Sequence, residues 1–531
     1  MGDPLGDRGS TGAASASSAA SAAGWDPAGG SAHASARPTA LVRPLHAGDE
    51  TEFQEPLSIE CLAGYLAERG HSAYVFDRRL YEAEGDASRF WAEFNATAER
   101  VGGFGVVGVS VMTADDVSDA LRIIERVRSH WPQTVFVAGG LYVTNAPEQA
   151  RARFPVAVRL VHGEGEVPLL SLAADAVAVA AEHRVLTPDE WAYPVRPGLR
   201  RYARQHCSIN LRSARGCSGA CTFCATPNLP KPYRRWAARD MRMVVGEIAE
   251  LAAHAEREGV LPIFNFVEDD FGSLARVEEL DAGLRCRGLR IAYSLQLRGQ
   301  SLVREPRLHE RLYKRLVPLR AGGFSRLFIG LESVDAATLS AWRKPLDVDA
   351  MFEVIDTFKR AGIQTHIGYI LWHQQSTLQG VRAEAAELYG RGLFTTKCAI
   401  SRMICFPGSA DNRREEAACR DAPHPPGPAQ VHWERLSPEC EREFARIESY
   451  LFPLYRLWAQ GATLLPYAAA RVHLEGSACD AGNDVERIER VLSACDAVAY
   501  RALADGVFGT DTITLARELR GEFDALCRAR Y

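Results

Sequence analysis

Short continuous apolar runs recur along the first third of the chain, at Thr39–Leu45, Ala73–Asp77, Val106–Met112, Thr134–Gly140 and Val156–Val161. Runs of this length predict strands buried on both faces. Between them the apolar positions switch to helical spacing, at Ile59–Arg69 before Gly70 and at Asp115–Arg128, where Asp115 and Asp116 suit a first turn. Strands alternating with helices predict a parallel, doubly wound sheet. A segment with Pro188, Pro194 and Pro197 reads as a linker. A second series of strands is predicted beyond it, at Cys207–Leu211, Ile263–Val267, Ile291–Leu297, Leu327–Leu331, His366–Leu371 and Lys397–Cys405. Helical patterns at Met241–Arg257, Ala275–Leu284, Leu308–Leu316, Val348–Arg360 and Leu378–Gly390 separate them, giving six βα units. From about residue 411 the pattern changes. Pro423, Pro425, Pro426 and Pro428 mark another linker, and helices are predicted at Glu439–Tyr450, with Ser437 and Pro438 at its start, and at Arg487–Ala504.

Composition adds limits rather than chemistry. A chain of 531 residues, 47% hydrophobic and 24% charged, has room for several cores of ordinary globular character. A net charge of -5 leaves no basic footprint for nucleic acid. No apolar run reaches the eighteen or so residues that span a bilayer. Asp3 and Asp7 stand where a secretory leader needs positive charge, so a cytoplasmic protein without membrane partners is expected. Residues 1–37 are rich in Gly, Ala and Ser and read as a disordered tail. The 13 cysteines suit a reducing compartment, and most are scattered as small core residues would be.

Three of them are not scattered. Arg215-Gly-Cys-Ser-Gly-Ala-Cys-Thr-Phe-Cys-Ala225 sets Cys217, Cys221 and Cys224 in a C-x3-C-x2-C run, with Gly216 and Gly219 reducing side-chain bulk. Three thiolates on such a loop can wrap one inorganic cluster. A four-iron cluster usually takes four cysteines, so three leave one iron open to a small molecule. Zinc is the alternative if His206 and Cys207 complete the site. Inert core thiols are a poorer alternative on a glycine-rich loop. The spacing, with Phe223 before the last cysteine, resembles the signature of the radical S-adenosylmethionine (radical SAM) enzymes. Their partial barrel fits the six βα units, with the cysteine loop after the first strand at the face where barrel sites lie.

The first series resembles the cobalamin-binding domain that precedes the barrel in one large class of that family. The matching pieces are the Ile59–Gly70 helix, Gly108-Val-Ser-Val-Met-Thr113, Ala138-Gly-Gly140 and Gly163-Glu-Gly-Glu166. The strand-end residues assigned to cobalamin are Ser110, Thr113, Gly139, Gly140, Gly163 and Glu164, although glycines here also suit any tight strand-to-helix turn. Other cobalamin domains supply a histidine beneath the cobalt from a D-x-H-x-x-G motif. The strand end compared with it here, Asp77-Arg-Arg-Leu-Tyr81, has none, so the resemblance implies a cobalt with no protein imidazole below it.

The resemblance also implies a binding site for S-adenosylmethionine. Phe223 would lie by the adenine. Glu268, beside Asp269 in Val267-Glu-Asp-Asp270, would bind the amino group, although the family's glycines are missing there and a solvated acidic turn is the alternative. Gln296 and Arg298 end the third strand, Arg298 suiting a carboxylate. Gly330 and Glu332, in Ile329-Gly-Leu-Glu-Ser333, match the family's fourth-strand pattern. Tyr369 and His373 follow as substrate-facing candidates, and Phe406-Pro-Gly-Ser409 resembles a sixth-strand turn. The expected architecture is α/β: a Rossmann-like cobalamin-binding domain at 38–185, a partial (βα)6 barrel at 186–410 and a helical domain at 411–531. The expected activity is methyl transfer to an unactivated carbon of a small molecule, in natural-product biosynthesis, using a [4Fe-4S] cluster, S-adenosylmethionine, cobalamin and an external one-electron reductant of flavodoxin or ferredoxin type. Oxidative cyclisation or ring rearrangement without methyl transfer is the alternative. Methylthio transfer needs a second cysteine set in the first domain, which offers only Cys61.

Overall fold

The computed structural model describes residues 38–46, 53–174, 184–229, 231–303, 309–405, 409–411, 432–433, 435–476, 481–509 and 511–528. The expected tail, most of the second linker and Phe406–Gly408 lie outside them.

The first sheet joins β1 (Thr39–Arg43), β2 (Ala73–Asp77), β3 (Val106–Ser110), β4 (Val135–Gly139) and β5 (Arg159–Leu160) in the order β2-β1-β3-β4-β5, all parallel. Helices cover both faces, which is why the strands are apolar throughout. Ile59, Ala63 and Leu66 of the helix Leu57–Ala67 pack on one face. Phe90, Phe94, Ile123 and Ile124, from the helices Ala87–Arg100 and Val117–His130, pack on the other. The chain leaves β1 for the outer strand β2 and then crosses to β3 on the opposite side of β1. The winding therefore reverses between β1 and β3, and the crevice outside those two strand ends is where such sheets bind ligands.

The second sheet has β6 (Ile209–Leu211), β9 (Ile263–Phe266), β10 (Ala292–Leu297), β11 (Phe324–Glu332) and β12 (Gln364–Tyr369) side by side in chain order and parallel. Along β10, Tyr293, Leu295 and Leu297 face the outer helices, while Ser294 and Gln296 face the lumen. Where a sixth strand is expected, Thr396–Ala399 turns as a helix instead. The extended chain that follows meets the barrel through one parallel bridge, Trp372 to Arg402. Two short strands, β7 (Ala214–Arg215) and β8 (Ala237–Ala238), pair antiparallel beside the barrel. The last described strands, β13 (Ile404–Cys405) and β14 (His432–Trp433), form another small ladder.

The helix expected at Glu439–Tyr450 runs on to Glu475 through Pro453 and Pro466. Each proline removes one helical hydrogen bond, but the apolar face of this helix is buried against the barrel and the helix Ala481–Ala504, which holds it together. Its Tyr455, Trp458, Ala459, Ala462, Thr463 and Pro466 close the open side of the lumen.

Candidate active site

The cysteine loop leaves the barrel after β6, and the β7–β8 ladder draws its two ends together. Gly216 has φ +70°, and a Cβ there would sit 2.6 Å from the Arg235 carbonyl, so the position requires glycine. The three thiols are half-buried. Burial pushes all three above the usual thiol range, Cys224 to about 11. Cations oppose that: Arg298 at Cys217, and Lys344 with Arg298 at Cys221. Among the described residues no three His, Cys, Asp or Glu side chains close on a single ion. Cys207 is buried at the opposite, N-terminal end of β6, its thiol on the Phe53 carbonyl, and His206 lines the cavity at that end. These two residues therefore do not complete a zinc site with the loop.

Above the lumen the strand ends converge on the loop. Arg298 donates to the Ser218 hydroxyl within the cysteine run. Glu332 is a non-glycine residue in the left-handed region, at φ 69°, beside a register shift between β11 and β12. Such strain persists where the surroundings enforce it. Its carboxylate turns back over Gly330 and pairs with Lys344 Nζ at 3.2 Å. A Cβ on Gly330 would overlap that carboxylate and stand 2.8 Å from Nζ, whereas one on Gly368 would meet the Phe328 ring, at 2.9 Å. Gly330 thus makes the space that the Glu332 side chain fills. Lys344 carries no sequence signal, lying twelve residues beyond Glu332, just after the left-handed residue Arg343.

The acidic segment after β9 divides three ways. Glu268 is buried and accepts from the Ser213 hydroxyl, and burial raises its pKa to about 7. Asp269 accepts from Thr226 at 2.8 Å and Asp270 from the Gly272 N–H at 3.0 Å. Of these three, Asp269 and Asp270 place their charge on the cysteines, at Cys217 and Cys224, as Glu332 does at Cys221. Glu268, assigned to the S-adenosylmethionine amino group, is instead committed to Ser213.

Phe223 packs edge-on to Trp342, and Trp342 edge-on to His373, with ring centroids 5.5 and 5.0 Å apart. His373 is buried, with Nδ1 3.0 Å from Gln375 Oε1, and so stands one ring behind the loop. Tyr369 is engaged twice: its hydroxyl donates to Glu384 and accepts the Val334 N–H at 3.1 Å. Burial raises its pKa further still. With no free hydroxyl, Tyr369 braces the strand end rather than facing substrate. Gln296 lines a cavity of about 420 Å³ in the lumen, together with Asn210, Asn265, Ser294, Arg326 and His366. The end of the barrel returns to the loop where the Ala410 N–H donates to the Thr222 carbonyl at 3.1 Å.

On the first sheet, Ser110 and Thr113 stand at the end of β3, beside the winding reversal. Gly140 has φ +107°, and a Cβ there would lie 2.5 Å from the Val111 carbonyl, so the protein's own backbone demands that glycine. Gly139 has no such constraint. Gly163 lies under the ring of Tyr233, which follows the cysteine loop. Glu164 pairs with Arg215, the first residue of the cysteine run, and accepts the Leu186 N–H at 2.9 Å. The Gly163–Glu164 strand end is therefore in contact with the cluster loop itself. Below it, Arg196 donates to Glu55 and to the Asn210 carbonyl, and Tyr202 donates to Asp77 at 3.0 Å, so buried polar bonds join sheet to barrel.

Comparison with known proteins fits this geometry. The radical SAM superfamily profile matches residues 211–377, and the B12 binding domain profile matches residues 51–173. The chain is a B12-binding radical SAM enzyme. It is 24% identical over 277 residues to the bacteriochlorophyllide d C-8(2)-methyltransferase of Chlorobaculum tepidum, covering 49% of this chain and 58% of that protein. It is 26% identical over 166 residues to the hopanoid C-3 methylase of Methylococcus capsulatus, covering 30% of this chain and 28% of that one. The chain thus spans little more than half of the first relative's length and less of the second's. Among solved folds, the cobalamin-dependent S-adenosylmethionine radical enzyme OxsB, with aqua-cobalamin and S-adenosylmethionine bound, superposes with TM-score 0.66 at 15% identity, covering 93% of this chain and 85% of that one. The radical S-adenosylmethionine methyltransferase TsrM from Kitasatospora setae, with cobalamin and a [4Fe-4S] cluster, gives 0.55 at 16% identity, covering 74% and 76%.

The cofactors of this B12-binding radical SAM enzyme are a [4Fe-4S] cluster, S-adenosylmethionine and cobalamin, and its residues fit them. The loop offers three thiols flanked by cations, the lumen mouth offers a strained carboxylate, and the sheet offers a crevice at its reversal. No helix among the described residues is long and apolar enough to cross a membrane.

Proposed function

We propose that this enzyme is a C-methyltransferase that modifies an unactivated carbon of a small molecule in natural-product biosynthesis. The reading extends to a cytoplasmic setting, an external one-electron reductant of flavodoxin or ferredoxin type, and domains at 38–185, 186–410 and 411–531. One observation carries it: the Glu164–Arg215 pair ties the strand ends of the corrinoid-binding sheet to the first residue of the cysteine run. A methyl donor and a radical source must act on one carbon, so their sites must adjoin. When bound, the cluster with S-adenosylmethionine would supply a hydrogen-abstracting radical, and the corrinoid a methyl group.

The residues of the chain hold and orient. Cys217, Cys221 and Cys224 are the ligand set, and Arg298 and Lys344 favour their thiolate forms. Glu332, positioned by Lys344, accepts from the amino group of S-adenosylmethionine. Arg298 lies within reach of its carboxylate, and Phe223 flanks the adenine. His373 supports Phe223 through Trp342. The lumen cavity, with amides, Arg326 and His366 in its wall, suits a polar substrate.

A second reading is also supported. The chain is 24% identical over 361 residues to the anaerobic magnesium-protoporphyrin IX monomethyl ester cyclase of Rubrivivax gelatinosus, covering 61% of this chain and 60% of that protein. Product counting in anaerobic turnover separates the two. Methyl transfer yields S-adenosylhomocysteine and 5′-deoxyadenosine in equal amounts. Deoxyadenosine accompanying product without S-adenosylhomocysteine selects the cyclase-like reading and ends the first.

A further inference from the structure

The strand end without an imidazole, Asp77–Tyr81, follows β2. The topology puts β2 at the edge of the sheet and the ligand crevice between β1 and β3. The segment that follows β1 is Pro44-Leu-His46. His46 lies in the crevice: its Nδ1 is 3.0 Å from Asp116 Oδ1 and 3.2 Å from Thr113 Oγ1, both just beyond β3.

Asp116 is built to hold it. Its side chain is fully buried, and its other oxygen accepts the Met112 N–H at 2.6 Å and the Thr113 N–H at 3.0 Å. A carboxylate fixed by two backbone donors accepts a proton from Nδ1 and sets the tautomer that leaves Nε2 with a lone pair. No contact of His46 among the described residues uses Nε2. A carboxylate behind one imidazole nitrogen, with the other open, is the arrangement by which proteins orient a metal-ligating histidine. The flanking groups are also satisfied: the Leu45 N–H donates to Asp119 at 2.8 Å, and Arg78 pairs with the same carboxylate. The segment carrying His46 is thus pinned to the β3 side of the crevice through two separate aspartates.

We propose that His46, positioned by Asp116 and Thr113, is the lower axial ligand of the corrinoid cobalt in this enzyme. The inference concerns how the corrinoid is held and stands whether the bound methyl is transferred or not. It reverses the expectation of a cobalt without protein imidazole.

The test is electron paramagnetic resonance of the cob(II)alamin form of the full chain, produced with the heavy, spin-half nitrogen isotope throughout the protein and loaded with unlabelled cobalamin. A protein nitrogen on cobalt splits each cobalt line into a doublet. The cofactor's own base gives a triplet, and an oxygen ligand or an empty face gives no nitrogen splitting. The proposal predicts the doublet, its loss in His46→Ala and His46→Gln, and its return when imidazole is added to His46→Ala. A triplet or unsplit lines in the wild-type protein overturns the proposal without any variant, and so does a doublet that survives both substitutions.

Discussion

The barrel mouth and the corrinoid crevice are both built at the carboxyl ends of parallel strands, yet their glycines mean different things. At the mouth, Gly330 is empty so that one functional side chain, Glu332, can fold into the space and meet Lys344, while Gly368 leaves room for the Phe328 ring. In the crevice, Gly140 is empty because the Val111 backbone passes against it, and Gly163 because Tyr233 lies on it. Gly330 makes room for that carboxylate directly. Gly140 and Gly163 serve packing, and the polar contacts at the end of β3 are made by His46, Thr113 and Asp116. A glycine at a strand end therefore marks a close approach, but only the structure shows what approaches.

The largest expected effect that tests this contrast is at Glu332. Glu332→Gln removes a charge-assisted hydrogen bond of about 1.5–3 kcal/mol. The KM for S-adenosylmethionine should rise roughly tenfold to a hundredfold, while corrinoid content stays unchanged. Gly330→Ala should reproduce the loss by displacing the same carboxylate. An unaffected KM in both variants would show that the mouth glycines, like those of the crevice, serve packing alone.

Glu268 gives the next effect, and a sign. Burial raises its pKa from 4.5 to about 7, so the folded state holds a proton that the unfolded chain has lost. Its contribution to stability is full below about pH 4.5 and disappears as the pH rises through about 7, a change on the order of 3 kcal/mol. Glu268→Gln stays neutral and escapes that loss. Its melting temperature relative to wild type should therefore increase between pH 5 and pH 8. A constant difference across that range would place the Glu268 carboxylate in solvent or on a cation, as a ligand-binding role would have it.

The smallest effect concerns the joint between the regions. Glu164→Gln should lower thermal stability by about 1–3 kcal/mol through the partner it leaves at Arg215, with iron and corrinoid contents retained. Loss of corrinoid at unchanged stability would show instead that Glu164 binds the cofactor.

Much of this arrangement was legible in the residue pattern. The cysteine run, the Ile329–Ser333 pattern and the order of strands rest on local signals, and the helices Met241–Arg257, Val348–Arg360 and Leu378–Gly390 fall where their spacing puts them. What was hidden depends on partners far apart in sequence. Nothing beside Glu268 announces that Ser213 takes its carboxylate, and nothing beside Tyr369 announces Glu384. The long helix to Glu475 was concealed by two prolines whose cost is offset only by tertiary burial. His46 carries no local signal as a candidate, because the position of the crevice follows from strand order, which places β1 and not β2 at the reversal.

A methyltransferase of this design needs one chain to hold an open-iron cluster and a corrinoid at adjoining sites. Iron, zinc and corrinoid content of the anaerobically reconstituted chain, measured in the wild type and in Cys217→Ala, tests this most directly. The expected result is about four irons and one corrinoid per wild-type chain, with the brown absorbance lost and the corrinoid retained in the variant. Stoichiometric zinc with negligible iron, or iron with no corrinoid after growth with cobalamin, would contradict it.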